Sequence, residues 1–465
     1  MRVQLHTLGC RLNEAETERW AEEFHRRGIR LAADHEPTDL VVVNTCAVTT
    51  EAARKSRNLL RRTHRRSPDA KLIVSGCYAS LEADQLAAWR DIDLLVTNRD
   101  KDRLVEIVLA RFPEPPRQLA STHDPAEPLF VRGRQRAFVK VQDGCRHRCT
   151  FCIVSRARGA ERSRPLTDVI AEVRRLTDAG LQEVVLTGVH LGAYGRDQGI
   201  GLTDLVRALL AETALPRLRL GALEPWDLPA DLWDLFADPR LMPHLHLPIQ
   251  SGSDRILRRM ARRGTTDAFA RLVAAGRAAV PDLNISTDII AGFPGETDAD
   301  WDETLAFVAA TGFGQLHVFA YSPRPGTLAA TYPDQIPAPV RDHRRAQMTA
   351  LGRTLRLATL RTFIGRRMPV LREGKQLEGT AFGYTPNYLP VRFAVDAMVT
   401  PDPNDRLWDL SLVGLDPATE TLIGVPGAAH PPRGRDPVSE VGPGQDSSVT
   451  QTGQWSDGLS MPRIS

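Results

Sequence analysis

The sequence predicts an α/β protein with an N-terminal parallel-sheet domain, a central partial (β/α) barrel and a small C-terminal β-barrel. Two patterns support this fold class. Apolar runs of strand length alternate with helix-like stretches through most of the chain, and short alternating runs with Gly and Pro replace them near residue 363. A length of 465 residues, with 42% hydrophobic residues, suits about three domains.

The N-terminal domain is predicted to span residues 1–115. Apolar runs at 3–8, 40–43 and 71–75 read as parallel strands, and Cys10, Cys46 and Cys77 follow them closely. The carboxyl ends of parallel strands meet at one edge of a sheet, where open α/β sheets place ligands. We therefore expect the three thiols to lie together. The alternative is three ordinary buried cysteines.

Residues 51–66 of this domain predict a strongly basic helix. Its arginines recur at three- and four-residue steps and would form one cationic stripe, consisting of Arg54, Arg57, Arg61 and Arg65. The whole chain has a formal charge of only +3, so a polyanion partner must be argued from such local clusters. The stripe favours contact with a nucleic-acid backbone over a solvated helix face.

A stretch rich in proline and polar residues, 116–132, reads as a linker. The central domain, 133–362, shows repeating strand-and-helix units typical of a partial barrel. Its predicted strands are 137–141, 183–187, 218–220, 244–248, 284–290 and 315–320.

A compact cysteine motif, CRHRCTFC, opens the central domain in the loop after its first strand. Its thiols are Cys145, Cys149 and Cys152. A protein that supplies three thiolates to an iron–sulfur cubane leaves the fourth iron open. Structural zinc needs a fourth ligand, for which only the awkwardly placed His147 is near. Disulfides fit poorly, because the N-terminus lacks a secretory h-region and a cytoplasmic protein keeps its thiols reduced. The six cysteines therefore predict two metal clusters.

The C-terminal region is predicted to contain a small β-barrel at 363–425, preceded by a basic helix at 341–367. Residues 426–465 are rich in Gly, Pro and Ser, which predicts disorder. No apolar run reaches membrane-spanning length, so we expect a cytoplasmic protein without a membrane partner.

The compact motif, with the aromatic Phe151 just before its last cysteine, resembles the signature of the radical S-adenosylmethionine (SAM) superfamily. The resemblance implies that the compact cluster binds and cleaves S-adenosyl-L-methionine to a 5′-deoxyadenosyl radical. In such chemistry the protein orients and shields what the cofactor does.

Further motifs resemble the methylthiotransferase family within this superfamily. They are TLGCRLNEAET, NTCAVTTEAARKSR and SGCYA upstream, and LPIQSGSDRILRRMARR, TDIIAGFPGET and YSPRPGT downstream, so the resemblance covers about residues 1–424. NTCAVT followed by KSR, and VSRARGAERSR after the cysteine loop, are most similar to the threonylcarbamoyladenosine tRNA branch.

The resemblance implies two [4Fe-4S] clusters and SAM as cofactors. Cys145, Cys149 and Cys152 would hold the radical-generating cluster, and the three upstream cysteines the sulfur-donating cluster. The product would be a 2-methylthio group on C2 of N6-threonylcarbamoyladenosine at tRNA position 37, with no side chain acting as a catalytic nucleophile. The implied partners are a tRNA anticodon stem-loop and an electron donor such as flavodoxin or ferredoxin. The C-terminal barrel resembles the RNA-binding TRAM module, and we expect a monomer.

The remaining predicted cofactor-binding residues lie in loops that follow predicted strands. They are Thr187 and Gly188 of LTGVH, Glu224 of LEPWD, Gln250, Ser251 and Ser253 of IQSGSD, and Gly292, Phe293 and Gly295 of IAGFPGE, in addition to Phe151. Ordinary glycine turns and a surface carboxylate are the alternatives.

Three other functions stay open at this point. The same chemistry could act on isopentenyladenosine of tRNA or on a ribosomal protein side chain. A non-catalytic RNA-binding electron carrier with two clusters is the third, and it predicts no cleavage of SAM.

Overall fold

The computed structural model describes residues 1–33, 36–113, 135–377, 379–395 and 406–426. The predicted linker, 116–132, lies outside these residues, and so does the predicted disordered tail beyond Pro426. Both of those interpretations stay predictions.

The N-terminal part is a five-stranded sheet in the order β2-β1-β3-β4-β5, and all of its pairings are parallel. Every residue of β3 is buried, as expected of a central strand with helices on both faces. The strands are β1 (Arg2–Thr7), β2 (Arg30–Leu31), β3 (Leu40–Thr45), β4 (Lys71–Gly76) and β5 (Leu94–Val96). The helices are α1 (Arg11–Arg26), α2 (Thr50–Arg66), α3 (Cys77–Leu81), α4 (Ala83–Ala87) and α5 (Leu104–Arg111).

The central part contains two three-stranded parallel sheets, β10-β9-β6 and β11-β12-β13. Isolated bridges from Leu218 to Leu241 and from Ala222 to His246 connect them into a partial barrel. A short antiparallel pair, β7 with β8, encloses the compact cysteine loop. The strands are β6 (Arg136–Lys140), β7 (Gln142–Asp143), β8 (Arg162–Ser163), β9 (Glu183–Thr187), β10 (Arg217–Leu220), β11 (His244–His246), β12 (Asn284–Ala291) and β13 (Gln315–Ala320). The helices are α6 (Val154–Arg158), α7 (Leu166–Asp178), α8 (Leu202–Glu212), α9 (Asp254–Arg259), α10 (Thr266–Ala279), α11 (Asp298–Thr311) and α12 (Ala338–Arg361).

The C-terminal part is a closed barrel in the order β14-β15-β16-β18-β17. The basic helix before it, α12, ends at Arg361 rather than at the predicted residue 367, because Arg367 already pairs with Ser411 in the barrel. The strands are β14 (Arg367–Leu377), β15 (Thr380–Tyr384), β16 (Pro390–Ala394), β17 (Leu407–Asp416) and β18 (Thr421–Pro426). The predicted fold class is confirmed.

A buried carboxylate at the start of β9 joins the partial barrel to the C-terminal barrel. Glu183 is fully buried and pairs with Arg136, Arg217 and Arg219 on neighbouring strands. Arg136 donates to the Tyr388 hydroxyl at 3.1 Å, and Arg219 lies 4.6 Å from the centre of the Tyr388 ring. The C-terminal barrel thus covers the amino ends of the partial barrel's strands.

Among the described helices, none combines the length and the apolar character needed to cross a lipid bilayer.

Candidate functional site

The three upstream cysteines lie at the carboxyl edge of the N-terminal sheet. Strands β1, β3 and β4 run parallel and in register, so all three strands end at the same edge of the sheet. Cys10 directly precedes α1, Cys46 follows β3 and Cys77 begins α3. The strands therefore bring these three cysteines to one edge of the sheet.

Gly9 makes this gathering possible. Its φ is +109°, a conformation that glycine adopts at little cost. A Cβ atom at Gly9 would lie 2.7 Å from Cys46 Cβ and 2.8 Å from Cys46 Sγ. The absent side chain is therefore what lets the loop that carries Cys10 pass against Cys46.

The Cys46 thiol of this site favours the neutral form when nothing binds it. Burial raises the pKa of Cys46, and the neighbouring Cys77 and Cys10 raise it further. Clustered thiolates repel one another, and a bound cation removes that repulsion. This is the electrostatic situation expected at a metal site.

Two asparagines, which the sequence prediction missed, close the upstream site. Asn13 donates to the carbonyls of Leu8 (2.7 Å) and Thr45 (3.1 Å), and its side-chain oxygen lies 3.9 Å from Cys10 Sγ. Asn98 donates to Cys77 Sγ at 3.7 Å. Asn13 lies in the quoted TLGCRLNEAET motif, but Asn98 comes close to Cys77 only through the fold.

Backbone N–H groups of the compact loop donate hydrogen bonds to two of its three thiols. The His147 N–H donates to Cys145 Sγ and the Val154 N–H donates to Cys152 Sγ, both at 3.4 Å. Burial, followed by repulsion from the other thiols, raises the pKa of Cys145 to about 12 and that of Cys152 to about 11 against these N–H donors. Hydrogen bonds to the sulfur atoms are one of the factors that set the reduction potential of an iron–sulfur cluster.

Gln142 connects this loop to the loop after β9. Its side-chain oxygen accepts from the His190 N–H at 2.8 Å, and its Nε2 donates to the carbonyls of Asp143 (3.0 Å) and Gly144 (2.8 Å). Gly188 packs against it, since a Cβ there would lie 3.0 Å from Gln142 Oε1. The predicted Thr187 is the buried last residue of β9. No sequence pattern identified Gln142.

Glu224, one of the predicted cofactor-binding residues, lies close enough to the compact thiols to act on Cys145 and Cys149 electrostatically. It forms an ion pair with Arg262 at 2.8 Å, and Arg262 also approaches Cys149 Sγ at 3.9 Å. The Arg262 guanidinium lies 4.1 Å from the centre of the Trp226 ring. Arg262 therefore holds Glu224 in place and itself faces the cysteine site. The sequence analysis did not identify Arg262.

The GFPG turn packs on the compact loop. Phe293 is fully buried in an apolar cluster against which the predicted Phe151 packs. Gly292 has a φ of +74°, and a Cβ there would lie 2.3 Å from Arg341 Cγ. Gly295, with a φ of +78°, similarly faces Arg259. Both glycines are required by close packing and by backbone conformation.

The IQSGSD loop uses its hydroxyls internally. Ser251 Oγ lies 3.3 Å from Thr304 Oγ1, and Ser253 Oγ donates to Asp300 at 2.8 Å, so both serines attach the loop to α11. Gln250 has a φ of +80°, which is strained for a residue with a side chain. Its side chain is half-buried, whereas both serines are buried.

A histidine pair lies next to the compact loop and was not predicted as a site. His190 Nδ1 lies 2.9 Å from Glu161, and its Nε2 lies 2.8 Å from Asp227. His147 Nε2 reaches the same Asp227 oxygen at 3.1 Å. Burial lowers the pKa of His190, but its hydrogen bonds to Asp227 and Glu161 outweigh burial and raise it. This network holds the cysteine loop against the loops after β9 and β10.

The arginine stripe of α2 starts beside the upstream site. Ser56 fixes the helix there, since its hydroxyl accepts from the Cys46 N–H and donates to the Cys46 carbonyl. Arg57 lies 5.9 Å from the centre of the Tyr78 ring, next to Cys77. Arg61 lies 5.5 Å from the centre of the Trp89 ring, and Arg65 is exposed. Arg54 is also exposed and is bound by Glu51 through two hydrogen bonds.

Both cysteine sites fit an iron–sulfur cluster. Each presents three soft thiols in a partly buried setting. Gly9 leaves room beside the upstream thiols, and N–H donors face sulfur atoms at both sites. Thiolate donors of this kind suit iron–sulfur clusters.

Comparison with family models gives two matches. The radical SAM superfamily matches residues 139–308, and an uncharacterized protein family, UPF0004, matches residues 2–97.

Two curated relatives are similar over most of their length. The threonylcarbamoyladenosine tRNA methylthiotransferase MtaB of Thermotoga maritima is 34% identical over 84% of this chain and 91% of its own. The tRNA-2-methylthio-N(6)-dimethylallyladenosine synthase of Cereibacter sphaeroides is 39% identical over 79% of this chain and 86% of its own.

A solved structure is similar in fold. The radical SAM methyltransferase TsrM of Kitasatospora setae, with tryptophan and a SAM analogue bound, superposes with a TM-score of 0.54. It is 16% identical and covers 71% of this chain and 75% of that chain. At this identity the likeness supports the fold alone.

Proposed function

We propose, from the premise that this chain belongs to the radical SAM methylthiotransferases, that it adds a methylthio group to C2 of N6-threonylcarbamoyladenosine at position 37 of tRNA. Members of this family use two [4Fe-4S] clusters and SAM. The observation that carries the proposal is the presence, in one chain, of two separate three-cysteine sites joined by direct contacts.

The residues divide the work between the two sites. Cys145, Cys149 and Cys152 would hold the cluster that binds SAM, and Cys10, Cys46 and Cys77 the second cluster. When bound, these groups supply a carbon-centred radical and a transferable sulfur. The chain holds the sites apart, orients them and limits the access of water, and no side chain has to act as a nucleophile.

The loops around the compact site would position SAM. Glu224 presents an acceptor that Arg262 holds in place, which suits the positively charged amino group of a methionine moiety. Gly188 offers close backbone approach beside Gln142. Phe151 and Phe293 form an apolar wall that would shield a radical from side reactions. These roles stay predictions.

The stripe on α2 supports a tRNA substrate, because it extends outward from the upstream site where a modified base would be presented.

Arg324, in the loop after β13, favours a substrate base that carries an anionic side chain. Its side chain is buried, and its Nε has no hydrogen-bond partner among the described residues. Ser322 in the same loop touches Thr50 at the start of α2, so the loop borders the N-terminal domain. Threonylcarbamoyl carries a carboxylate, whereas isopentenyl does not.

Isopentenyladenosine is the second candidate substrate. The Cereibacter sphaeroides relative, whose name specifies the dimethylallyl compound, shares slightly more identity than the Thermotoga maritima relative. The motifs NTCAVT with KSR and VSRARGAERSR instead favour the threonylcarbamoyl branch.

Nucleoside mass spectrometry separates these candidates. The reconstituted protein would be incubated anaerobically with SAM, sulfide and a reductant, using anticodon stem-loops that carry threonylcarbamoyladenosine, isopentenyladenosine or unmodified adenosine. We expect a 2-methylthio product only from the first substrate. A product only from the isopentenyladenosine substrate would assign the chain to the isopentenyladenosine branch of the family. No product from any RNA, with product on a ribosomal protein, would overturn the tRNA proposal.

A further inference from the structure

Helix α6 connects the two cysteine sites. It begins at Val154, two residues after Cys152, and ends at Arg158. Its Ala157 is buried in the apolar core of the N-terminal domain, together with Cys77 and Tyr78. One short helix therefore starts at the compact site and ends inside the domain that carries the upstream site.

Asn98 joins the end of this helix to an upstream thiol. Its Nδ2 donates to the Ala157 carbonyl at 2.8 Å and to Cys77 Sγ at 3.7 Å. The Ala157 carbonyl can only accept, so the amide must present its nitrogen here, and the second N–H is then free for sulfur. The backbone of Asn98 is fixed separately, since its N–H donates to Ser80 Oγ at 2.8 Å.

Arg158 makes the second connection. Its guanidinium donates to Asn13 at 2.7 Å, to Glu16 at 2.9 Å and to Asp143 at 3.0 Å. Asn13 and Glu16 lie on α1, directly after Cys10, whereas Asp143 lies in β7, directly before the compact loop. Arg158 thus bridges the residues that flank both sites.

The arginine belongs to an ion network that is buried except for Asp102. Glu16 also pairs with Lys101 at 2.5 Å and with Lys140 at 3.3 Å, and Lys140 reaches Asp102 at 2.8 Å. Buried ions of this kind fix geometry, because the loss of one partner leaves an uncompensated charge. The network opposes sliding of one domain over the other.

We propose that α6 sets the separation of the two cysteine sites, with Asn98 and Arg158 as positioning residues, and that the Asn98 amide, held by the Ala157 carbonyl of the central domain, tunes the upstream cluster. This inference rests on the proposed two-cluster reaction. A hydrogen bond to a cluster sulfur stabilises the reduced cluster and so raises its reduction potential. Loss of the bond should lower the potential of the upstream cluster alone.

The test compares Asn98→Leu, which keeps the branched shape of the side chain but removes both donors, with Arg99→Leu, its exposed neighbour. Potentials would be measured by redox titration in a Cys145→Ala, Cys149→Ala, Cys152→Ala background, which loads only the upstream site. The converse Cys10→Ala, Cys46→Ala, Cys77→Ala background reports the compact site. We expect a more negative upstream potential in Asn98→Leu, an unchanged compact potential, and wild-type values in Arg99→Leu. An unchanged upstream potential would overturn the inference.

Product ratios give a second readout in the proteins with all six cysteines. Asn98→Leu should raise the amount of 5′-deoxyadenosine formed per methylthio product about tenfold, the scale typical of residues that support a metal ligand. A wild-type ratio would overturn the inference. Absence of methylthio product in the wild type would instead contradict the proposed function, and the potentials would still decide the inference.

Arg158→Lys keeps the charge but removes the branched guanidinium, and it tests the bridge without any cluster. In cluster-free protein, amide hydrogen exchange should accelerate together in residues 154–158 and in residues 11–26. Arg156→Lys, on the same helix but exposed, is the matched control. Unchanged exchange in Arg158→Lys would overturn the bridging role, even where Asn98→Leu fails to fold.

Discussion

A single missing Cβ atom at Gly9 lets Cys46 approach the loop that carries Cys10. The fold also brings two polar side chains beside sulfur atoms, namely Asn98 beside Cys77 and Arg262 beside Cys149. At the scale of single residues, the six cysteines were predictable because their spacing or their position after strands is visible in the sequence. Asn98 and Gln142 were not, because their contacts join residues that lie 21 to 59 positions apart.

Gly9→Ala should block the upstream site. The new Cβ would overlap Cys46, and the positive φ adds strain, so reconstituted protein should hold about half the iron of the wild type. Gly28→Ala is the matched control, since Gly28 has a φ of +78° but nothing within 4 Å of the new atom. Iron analysis measures both, and full iron content in Gly9→Ala would contradict the steric argument.

At the scale of elements, apolar periodicity located the strands to within a few residues. The predicted strand at 244–248 ends earlier, at His246, since Pro248 has no N–H to continue a ladder. By composition, the second half of the C-terminal barrel is acidic, which would weaken phosphate binding. The acidic residues that are described there are neutralised locally, since Asp409 pairs with Arg367 and Asp416 with Arg392. Such pairing across strands cannot be read from composition.

The α2 stripe should contribute unequally to RNA binding. Arg54 is bound by Glu51, so Arg54→Ala should change tRNA affinity little. Removing Arg61 and Arg65 together should weaken binding and make its salt dependence shallower, by a slope of about 0.7 to 0.9 for each phosphate that is no longer neutralised. Fluorescence anisotropy at several salt concentrations measures this, and an unchanged slope would show that the stripe is only a solvated face.

At the scale of the whole molecule, buried ion networks join parts that the sequence presents as separate domains. One surrounds Glu16 between the two cysteine sites, and the other surrounds Glu183 beneath the partial barrel. Sequence reasoning predicted the parts, because each has its own hydrophobic pattern. It could not predict these networks, because buried charges are recognised only by their partners.

Glu183→Gln should destabilise the protein and flatten its acid sensitivity. Burial raises the pKa of Glu183, but Arg219, Arg136 and Arg217 outweigh burial and lower it well below the ordinary 4.5. As the pH falls, Glu183 is therefore protonated in the unfolded chain before it is protonated in the folded protein. Its contribution to the free energy of unfolding is complete above about pH 4.5 and declines below that pH. The variant leaves three buried arginines short of one anion, at a cost of about 3–5 kcal/mol near pH 7.

Urea unfolding from pH 7 to pH 3 measures this effect. Glu212→Gln, at an exposed ion pair with Arg174, is the control and should follow the wild type. Equal stability of Glu183→Gln and wild type at pH 7 would contradict the role given to this carboxylate.

The central claim is that two cysteine sites divide radical generation from sulfur donation. The most direct test is anaerobic reconstitution with tRNA, SAM, dithionite and sulfide, followed by mass spectrometry of nucleosides and of 5′-deoxyadenosine, in wild type, Cys10→Ala and Cys145→Ala. We expect Cys10→Ala to form 5′-deoxyadenosine without any methylthio product, and Cys145→Ala to form neither. Methylthio product from Cys10→Ala at the wild-type level would contradict the claim.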